Sequence, residues 1–206
     1  MSTTELPIGR SYRGEDPLQR KGSRRARLVE AAIEVYGTIG YRNATVDRIC
    51  AAAGLTKRYF YESFTDREAL LVAAYERVAD ILRARIEAGA GTSSDPTRGA
   101  LTALFRAIDD DPRLAKIAFF EILGVSPAVD DAYRAQTGRM AGALLDIAHV
   151  RTSLPAAERT MITTGLIGAV VFIAQHWMLT GRTESVARVA RSARTIVASV
   201  LDSIGR

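Results

Sequence analysis

Apolar residues recur at helical spacing through almost the whole of this chain, and this feature restricts its fold more than any other. Early in the sequence Leu28, Ala32 and Val35 stand four and three residues apart, and Tyr36 and Ile39 continue the stripe. Later segments, separated by proline and glycine, keep the same period, and none shows the alternation of a β-strand. Because such a period places apolar side chains on one face of a helix, the sequence predicts an all-α protein.

Capping signals and turn residues predict where the helices begin and end. Thr45 is predicted to cap a second helix that Gly54 ends, and Thr56 to cap a short third helix that runs to about residue 64. The pair Thr65 and Glu68 has the spacing of a capping box that opens a long fourth helix to about residue 88. The later helices are predicted at 96–109, 112–123, 127–149, 155–180 and 183–204.

The positive charge of the chain lies in one early block. The net charge is +5, and residues 20–67 contain ten Lys or Arg against five Asp or Glu, so the remainder is neutral. Such a block is typical of a module that binds a polyanion. Residues 1–22 are polar and rich in glycine, proline and charge, so we predict a disordered basic arm. Its bases either follow DNA phosphates or the minor groove, or form a solvated tail.

The stretch GLTKRYFYESF, residues 54–64, combines two cations and four aromatic rings in one short helix. On a helical wheel Phe60 and Phe64 share one side, so we predict that both rings are buried against the first two helices. The side chains predicted to point outward or to lie on the flank are Arg58, Tyr59, Tyr61 and Glu62. A short helix that displays arginine and tyrosine suits the major groove of DNA, where these side chains reach guanine edges and phosphates. The alternative is that the two tyrosines only cover the fourth helix.

Residues 25–71 resemble the helix-turn-helix domain of TetR-type transcriptional repressors. The first helix ends in the Gly-aromatic turn Gly40-Tyr41, and residues 45–54 fit the pattern Thr-x-x-x-Ile-(Cys/Ala)-x-x-Ala-Gly. Residues 60–70 fit (Leu/Phe)-Tyr-x-x-Phe-x-(Asn/Asp/Ser)-(Lys/Arg)-Glu-x-Leu. The match covers about a quarter of the chain and agrees in spacing and residue type through three helices. The remainder resembles the family only in its all-helical architecture.

The resemblance implies a set of DNA contacts at matching positions. Phosphate contacts near helix starts are implied for Thr45 and Thr56, and a grip on the DNA backbone for Tyr61 and Arg67. The residues implied to face base edges are Lys57, Arg58 and Tyr59. This chain has Arg58 where the family often has Gly or Pro, Tyr59 where it often has Thr or Ser, and Ser63 where it often has His. The operator sequence therefore cannot be transferred from the family. Glu62 is expected either to accept from cytosine N4 or to penalise wrong sites.

The predicted organisation is a disordered basic arm at 1–22, a three-helix helix-turn-helix DNA-binding domain at 23–67, and a helical ligand-binding and dimerisation domain at 68–206. By the resemblance, the last two long helices form a homodimer interface, which their broad apolar stripes suit. The family usually holds a small-molecule effector among the intervening helices. The predicted ligand-binding residues are Phe119, Phe120, Met140, Phe172, His176 and Trp177, with Glu121, Tyr133 and Gln175 as further polar candidates. For each of them the alternative is an ordinary core residue.

The sequence thus predicts a ligand-responsive DNA-binding regulator, expected to act as a homodimeric repressor on a near-palindromic operator. No cofactor, catalytic residue or metal ligand is predicted, because the chain lacks the common catalytic motifs and has one cysteine and two histidines. The single Cys50 and the absence of an apolar signal-like run near the N-terminus predict a cytoplasmic protein. The alternatives are a DNA-binding protein without sequence preference and a helical protein on a membrane surface, whereas an enzyme is not expected.

Overall fold

The structure, a computed structural model, describes residues 17–205. All regular structure in that range is helical, as the sequence predicted. The helices are α1 (Pro17–Ile39), α2 (Val46–Ala53), α3 (Lys57–Ser63), α4 (Arg67–Gly91), α5 (Pro96–Asp110), α6 (Pro112–Lys116), α7 (Pro127–Ile147), α8 (Ala156–Leu179) and α9 (Val186–Ile204). A π-helical turn, Ile117–Glu121, continues α6 without a break.

Helix α1 begins earlier than the sequence predicted. Residues 17–22, which were assigned to a disordered arm, form its first turns because they include good helix formers such as Leu18 and Arg20. These turns are exposed and precede the part of α1 that packs on the rest of the domain. The rest of the predicted arm, residues 1–16, lies outside the described residues.

Helices α1, α2 and α3 form a small domain, which we call the head. Its core includes Phe60 and Phe64, both buried as the wheel predicted, together with Leu28 and Ile49. Between α2 and α3 the chain reverses at Gly54, whose φ of 61° lies in the left-handed region that glycine adopts without strain.

The capping box predicted at Thr65 is wrong by one residue. Asp66 is the N-cap of α4, and its carboxylate accepts from the backbone N–H of Ala69 at 2.8 Å. The hydroxyl of Thr65 instead donates to Asp66 at 3.1 Å. The sequence offered two adjacent capping residues, and the carboxylate, which is the stronger acceptor for helix N–H groups, occupies the cap.

Helices α4 to α9 form the second part of the molecule, which we call the body. Helix α4 packs along α5, α5 packs against α9, and α7 and α9 both pack against α8. Helix α4 also contacts α1, so one continuous helix connects the head to the body. The π-helical turn lies where α1, α4 and α8 meet.

Helix α8 leaves much of its apolar surface uncovered. Phe172 is 72% exposed, Met161 is 68% exposed and Leu179 is 76% exposed. By length and composition alone, α8 is also the helix in residues 17–205 that could cross a membrane, although core and interface helices meet the same criterion. Residues 17–205 leave this apolar face of α8 uncovered, and an exposed apolar patch of this kind is typical of an interaction surface.

Candidate functional site

Helix α3 presents its cations on the outer surface of the head, and acidic neighbours pair with both. The Lys57 ammonium lies 2.8 Å from a carboxylate oxygen of Asp47, and this ion pair raises the pKa of Lys57. One turn further on, Nε of Arg58 donates to Glu62 at 2.9 Å, which raises the pKa of Arg58. Both cations therefore stay charged at neutral pH and remain exposed for a polyanion.

The two tyrosines of α3 have different surroundings. Tyr61 is 60% exposed on the flank of the helix, with one edge against the buried Phe60 ring at 5.1 Å between centroids. Tyr59 is only half-buried, but the guanidinium of Arg24 from α1 covers its ring at 4.4 Å from the centroid. The sequence placed Tyr59 fully outward at base edges, and it did not reveal that Arg24 lies over the ring.

The two threonines predicted to contact phosphate both lie at helix starts. The Thr45 hydroxyl caps α2 by accepting from the backbone N–H of Arg48 at 3.3 Å. Thr56 stands at the N-cap position of α3, but its side chain makes no capping bond. Both threonines are exposed, so phosphate contact remains a prediction that their positions permit.

Arg67 is the first residue of α4, and its side chain reaches the turn between α1 and α2. Its Nη2 donates to the carbonyl oxygen of Tyr41 at 2.6 Å, and its guanidinium lies 4.7 Å from the centroid of the Tyr41 ring. This arginine, predicted to grip the DNA backbone, thus also closes the Gly40-Tyr41 turn that is part of the sequence motif. Its DNA contact remains a prediction.

Arg27 is a functional candidate that the sequence counted only as charge. Its Nη2 reaches from α1 to the carbonyl oxygens of Ala53 at 2.6 Å and Gly54 at 3.3 Å. These carbonyls close the α2–α3 turn, so Arg27 holds the helix-turn-helix geometry. The sequence feature that could have identified Arg27 is its position one residue before the buried Leu28. That position places the Arg27 side chain at the edge of the packed face of α1.

The body contains an apolar cavity of about 120 Å³. Helices α4, α5, α7 and α8 and the π-helical turn line it, and Phe119 and Met140, both predicted ligand residues, are among its walls. The polar groups in the lining are the hydroxyls of Tyr75, Thr97, Tyr133 and Thr137 and the amide of Gln136. None of the lining side chains is charged, and burial raises the pKa of Tyr75, which keeps that phenol neutral. The cavity therefore suits an apolar ligand or the apolar part of one.

Four predicted ligand residues do not line this cavity. Phe172 and His176 are exposed on α8, and Trp177 is core, with its ring edge on Phe105 and its indole N–H donating to the carbonyl oxygen of Glu184 at 2.8 Å. Phe120 packs against the hydrophobic core beside the cavity wall. Helical spacing identifies apolar residues but does not say which neighbour each one faces, and this explains the error.

The π-helical turn connects the cavity to the head. Phe119 lines the cavity, and two residues later the carboxylate of Glu121 accepts from the backbone N–H of Tyr41 at 2.8 Å. Gly40 has a φ of 82°, and a side chain there would bring its Cβ within 3.0 Å of the same carboxylate. The carbonyl oxygen of Phe119 accepts from Gln175 of α8 at 2.6 Å. One short turn therefore contacts the cavity, α8 and the end of α1.

Comparison with known proteins gives consistent results. A family model described as bacterial regulatory proteins of the tetR family matches residues 28–74. The HTH-type transcriptional activator FasR of Mycolicibacterium smegmatis is 29% identical over 175 residues, which span 84% of this chain and 79% of that protein. The HTH-type regulator YdgC of Bacillus subtilis is 30% identical over 103 residues, 47% of this chain and 53% of its own.

Solved structures share the fold. The regulator FadR from Bacillus subtilis in complex with stearoyl-CoA superposes with a TM-score of 0.69 at 15% identity, covering 84% of this chain and 96% of that one. A TetR-family regulator from Rhodococcus sp. gives a TM-score of 0.66 at 21% identity, covering 90% of this chain and 100% of the other. At these identities the likeness establishes the architecture of both parts of the molecule.

Proposed function

We infer that this chain, a TetR-type transcriptional regulator that binds DNA and responds to a ligand, acts as a homodimer whose α3 helices read the two halves of a near-palindromic operator. The observation that carries this proposal is the exposed, positively charged surface of the head. Lys57, Arg58 and Tyr61 are exposed on one short helix, and the whole net positive charge of the chain lies in the segment that contains them. A dimer would place two such helices in successive major grooves, about 34 Å apart or a multiple of that.

A second copy of this chain is the occupant that we propose for the uncovered face of α8. Phe172 and Met161 are exposed there, and nothing lies within 4 Å of a Cβ placed at Gly165 or Gly168, which leaves room for a close helix. On α9, Ile196 is 43% exposed and extends the apolar area. Two-fold pairing of α8 and α9 with their copies would cover both faces at once. A lipid surface is the competing occupant, and the experiment below separates the two.

The effector that we propose is a long-chain acyl thioester whose hydrocarbon chain enters the cavity. The lining supports this class because it is almost entirely apolar and has no charged side chain. The stearoyl-CoA in the related FadR structure supports it independently. In this proposal the nucleotide part of the ligand stays outside the apolar walls. The hydroxyls of Thr97 and Thr137 and the Gln136 amide are polar groups of the lining that could donate to the thioester carbonyl.

We propose that the ligand acts by changing the relation between head and body. It does so only if it binds one arrangement more tightly than the other. Two connections carry the change. The first is α4, which is continuous from Arg67 beside the head to Leu82 and Ile86 at the cavity. The second is the π-helical turn, which contacts the cavity through Phe119 and the head through Glu121.

The proposed output is repression, in which the dimer occludes a promoter until the effector releases it. Activation is the second candidate, because FasR, 29% identical over most of its length, is named a transcriptional activator. In either case the proposed location is the cytoplasm, where the DNA and acyl thioesters are both present. An enzymatic role is not proposed.

The test is binding-site selection from randomised duplex DNA with the full chain, followed by footprinting and transcription in vitro. We expect protection of a near-palindrome and a change in affinity when stearoyl-CoA is added. Phe172→Glu is expected to yield monomers by sedimentation and to lose tight operator binding, whereas Glu30→Gln on the distant α1 surface serves as the control. Selection of no preferred sequence would overturn the proposal. Monomeric wild type that partitions onto vesicles would assign the α8 face to lipid instead.

A further inference from the structure

The carboxylate of Glu62 joins two guanidinium groups on the outer face of the head. Its Oε1 accepts from Nε of Arg58 at 2.9 Å, and its Oε2 lies 3.9 Å from Nη2 of Arg24. The Arg58 side chain is 83% exposed, whereas that of Glu62 is 38% exposed. The carboxylate thus lies close to the protein surface, and the guanidinium of Arg58 extends beyond it.

This pairing determines which edge of Arg58 remains available. A guanidinium has five N–H donors in a planar fork, and the bond to Glu62 occupies the one on Nε. The outer edge, with Nη1 and Nη2, is left free, and this edge has the spacing that matches O6 and N7 of guanine. A side chain already held in one orientation also loses less conformational freedom on binding.

Arg24 makes the arrangement more than an ordinary pair within one helix. An exposed i,i+4 ion pair alone is too weak to hold a long side chain in one orientation. Here Arg24, only 27% exposed, lies over the ring of Tyr59 at 4.4 Å and faces the second oxygen of Glu62. Two helices, α1 and α3, therefore hold the carboxylate from two sides.

The position of Glu62 also weakens binding to DNA sites that lack the base recognised by Arg58. A carboxylate at a DNA interface is repelled by phosphates and by base acceptors unless a cation next to it is fully engaged. When Arg58 finds a guanine, the two positive groups offset this charge. When it finds another base, the negative charge of Glu62 remains uncompensated near the DNA. The same residue then favours the right base and disfavours the others.

We propose that Glu62 is a specificity-determining residue that positions Arg58 for one guanine of the operator half-site, with Arg24 as its support. This inference rests on the proposed function, because it requires that α3 reads DNA bases. It differs from the cytosine contact expected from the sequence, since Glu62 acts through Arg58, and it gives the expected penalty on wrong sites a physical basis. Tyr59, in turn, serves as the platform for Arg24 rather than as a base reader.

The experiment uses the full chain and the duplex that the wild type selects from a random library. Dissociation constants are measured for that duplex and for each single base-pair change, with wild type, Arg58→Ala, Glu62→Ala and the double variant. Glu30→Ala is the matched control, because it removes the same charge from the head and breaks an exposed pair with Arg77 at 3.0 Å without touching α3.

We expect Arg58→Ala to lose discrimination at one G·C pair, and Glu62→Ala to reduce discrimination at that same pair about tenfold. Glu62→Ala should also tighten binding to the substituted duplexes. The double variant should discriminate no worse than Arg58→Ala alone, because Glu62 has nothing left to position. Glu30→Ala should tighten binding to all duplexes alike and leave the discrimination ratio unchanged.

A second measurement tests the pair without DNA. In the wild-type protein, NMR should find that the Arg58 Nε–H exchanges slowly with water. In Glu62→Ala the same Nε–H should exchange fast, because it has lost its acceptor. The inference is wrong if Glu62→Ala tightens all duplexes equally, as the control does, or if the Nε–H exchanges equally fast in both proteins. If the wild type selects no preferred sequence, the proposed function is wrong. If it selects one but Glu62→Ala discriminates between base pairs as well as the wild type does, only the inference about Glu62 is wrong.

Discussion

The head and the body are held together by different kinds of contact. In the head, arginine side chains bond to backbone carbonyls across helices: Arg27 bonds to Ala53, and Arg67, the first residue of α4, bonds to Tyr41, both at 2.6 Å. In the body, α4, α5, α7 and α8 meet mainly through apolar side chains, and these enclose a cavity within the core. Directional bonds fix the shape of a small domain, whereas apolar contacts with a void between them allow the helices to shift. The difference suits one part to reading DNA and the other to responding to a ligand.

The largest expected effect compares one phenylalanine from each part. Phe60→Ala in the head should lower the free energy of unfolding by about 4 kcal/mol, because the ring is fully buried in a filled core. Phe119→Ala at the cavity should cost roughly half as much, since part of the ring already faces empty space. Urea unfolding monitored by circular dichroism gives both values.

The ligand provides the control for this comparison. If the cavity is the effector site, stearoyl-CoA should stabilise the wild type and Phe60→Ala by the same amount, but stabilise Phe119→Ala differently. Equal costs for the two substitutions would mean that the cavity wall is as tightly packed as the head. The contrast between the two parts would then be wrong.

The second prediction tests the polar bonds of the head. Arg27→Ala should reduce operator affinity at least tenfold, because the carbonyls of Ala53 and Gly54 lose the donor that fixes the α2–α3 turn. Arg25→Ala is the control: Arg25 lies over the Phe64 ring at 4.8 Å, and it carries the same charge in the same helix. A phosphate contact alone would make both variants lose affinity to a similar extent, with a smaller salt dependence. Anisotropy across a salt series separates the two cases.

The head was predicted more completely than the body, and the reason is physical. In the head, turns occur at residues with a special backbone preference, such as Gly54. The buried rings, such as Phe60, can be identified from their positions on the helical wheel of a short helix. These are local signals. The contacts of Arg27 and Arg24 were not predicted because they join residues about 26 to 35 positions apart, and spacing along one helix carries no trace of them.

In the body the sequence predicted the helices well but not their partners. The observed bounds of α5, α7 and α8 lie within two residues of those predicted. Phe172 and Trp177, however, occupy the same apolar helix, and one is exposed while the other is buried. Which side of an apolar helix faces a cavity, a core or a second chain depends on the packing of the other helices. The π-helical turn was also missed, because one extra residue per turn leaves no signal in the apolar pattern.

The third prediction concerns the link between the two parts. Glu121→Ala removes the acceptor of the Tyr41 N–H and should lower the free energy of unfolding by about 1.5 kcal/mol. It should also leave stearoyl-CoA binding intact while reducing the effect of that ligand on operator affinity. Glu184→Ala, which removes an exposed carboxylate paired with Arg188 on the far side of the body, is the control. A full ligand response in Glu121→Ala would leave α4 as the connection between the parts.

The smallest expected effect tests a polar bond of the body that resembles those in the head. Asp95 caps α5 through the backbone N–H of Arg98, and its other oxygen lies 2.6 Å from Arg194 of α9. The N–H bond and the arginine hold the pKa of Asp95 below its usual value. Because the folded pKa is the lower one, this stabilisation is complete above the unfolded value of about 4 and is lost as the pH falls through the folded pKa.

Asp95→Asn keeps a capping oxygen but removes the charge, so it should cost roughly 0.5 kcal/mol at pH 7 and almost nothing near pH 2. Asp66→Asn is the matched variant at the N-cap of α4 beside the head, because the pKa of Asp66 is also lowered, mainly by the Ala69 N–H, and no arginine within residues 17–205 pairs with it. Asp66→Asn should therefore show a weaker dependence on salt than Asp95→Asn in thermal unfolding scans. If both variants respond to salt alike, the Asp95–Arg194 pair does not join α5 to α9 in solution. The contact between α5 and α9 would then depend mainly on apolar side chains, which would make the contrast between body and head sharper.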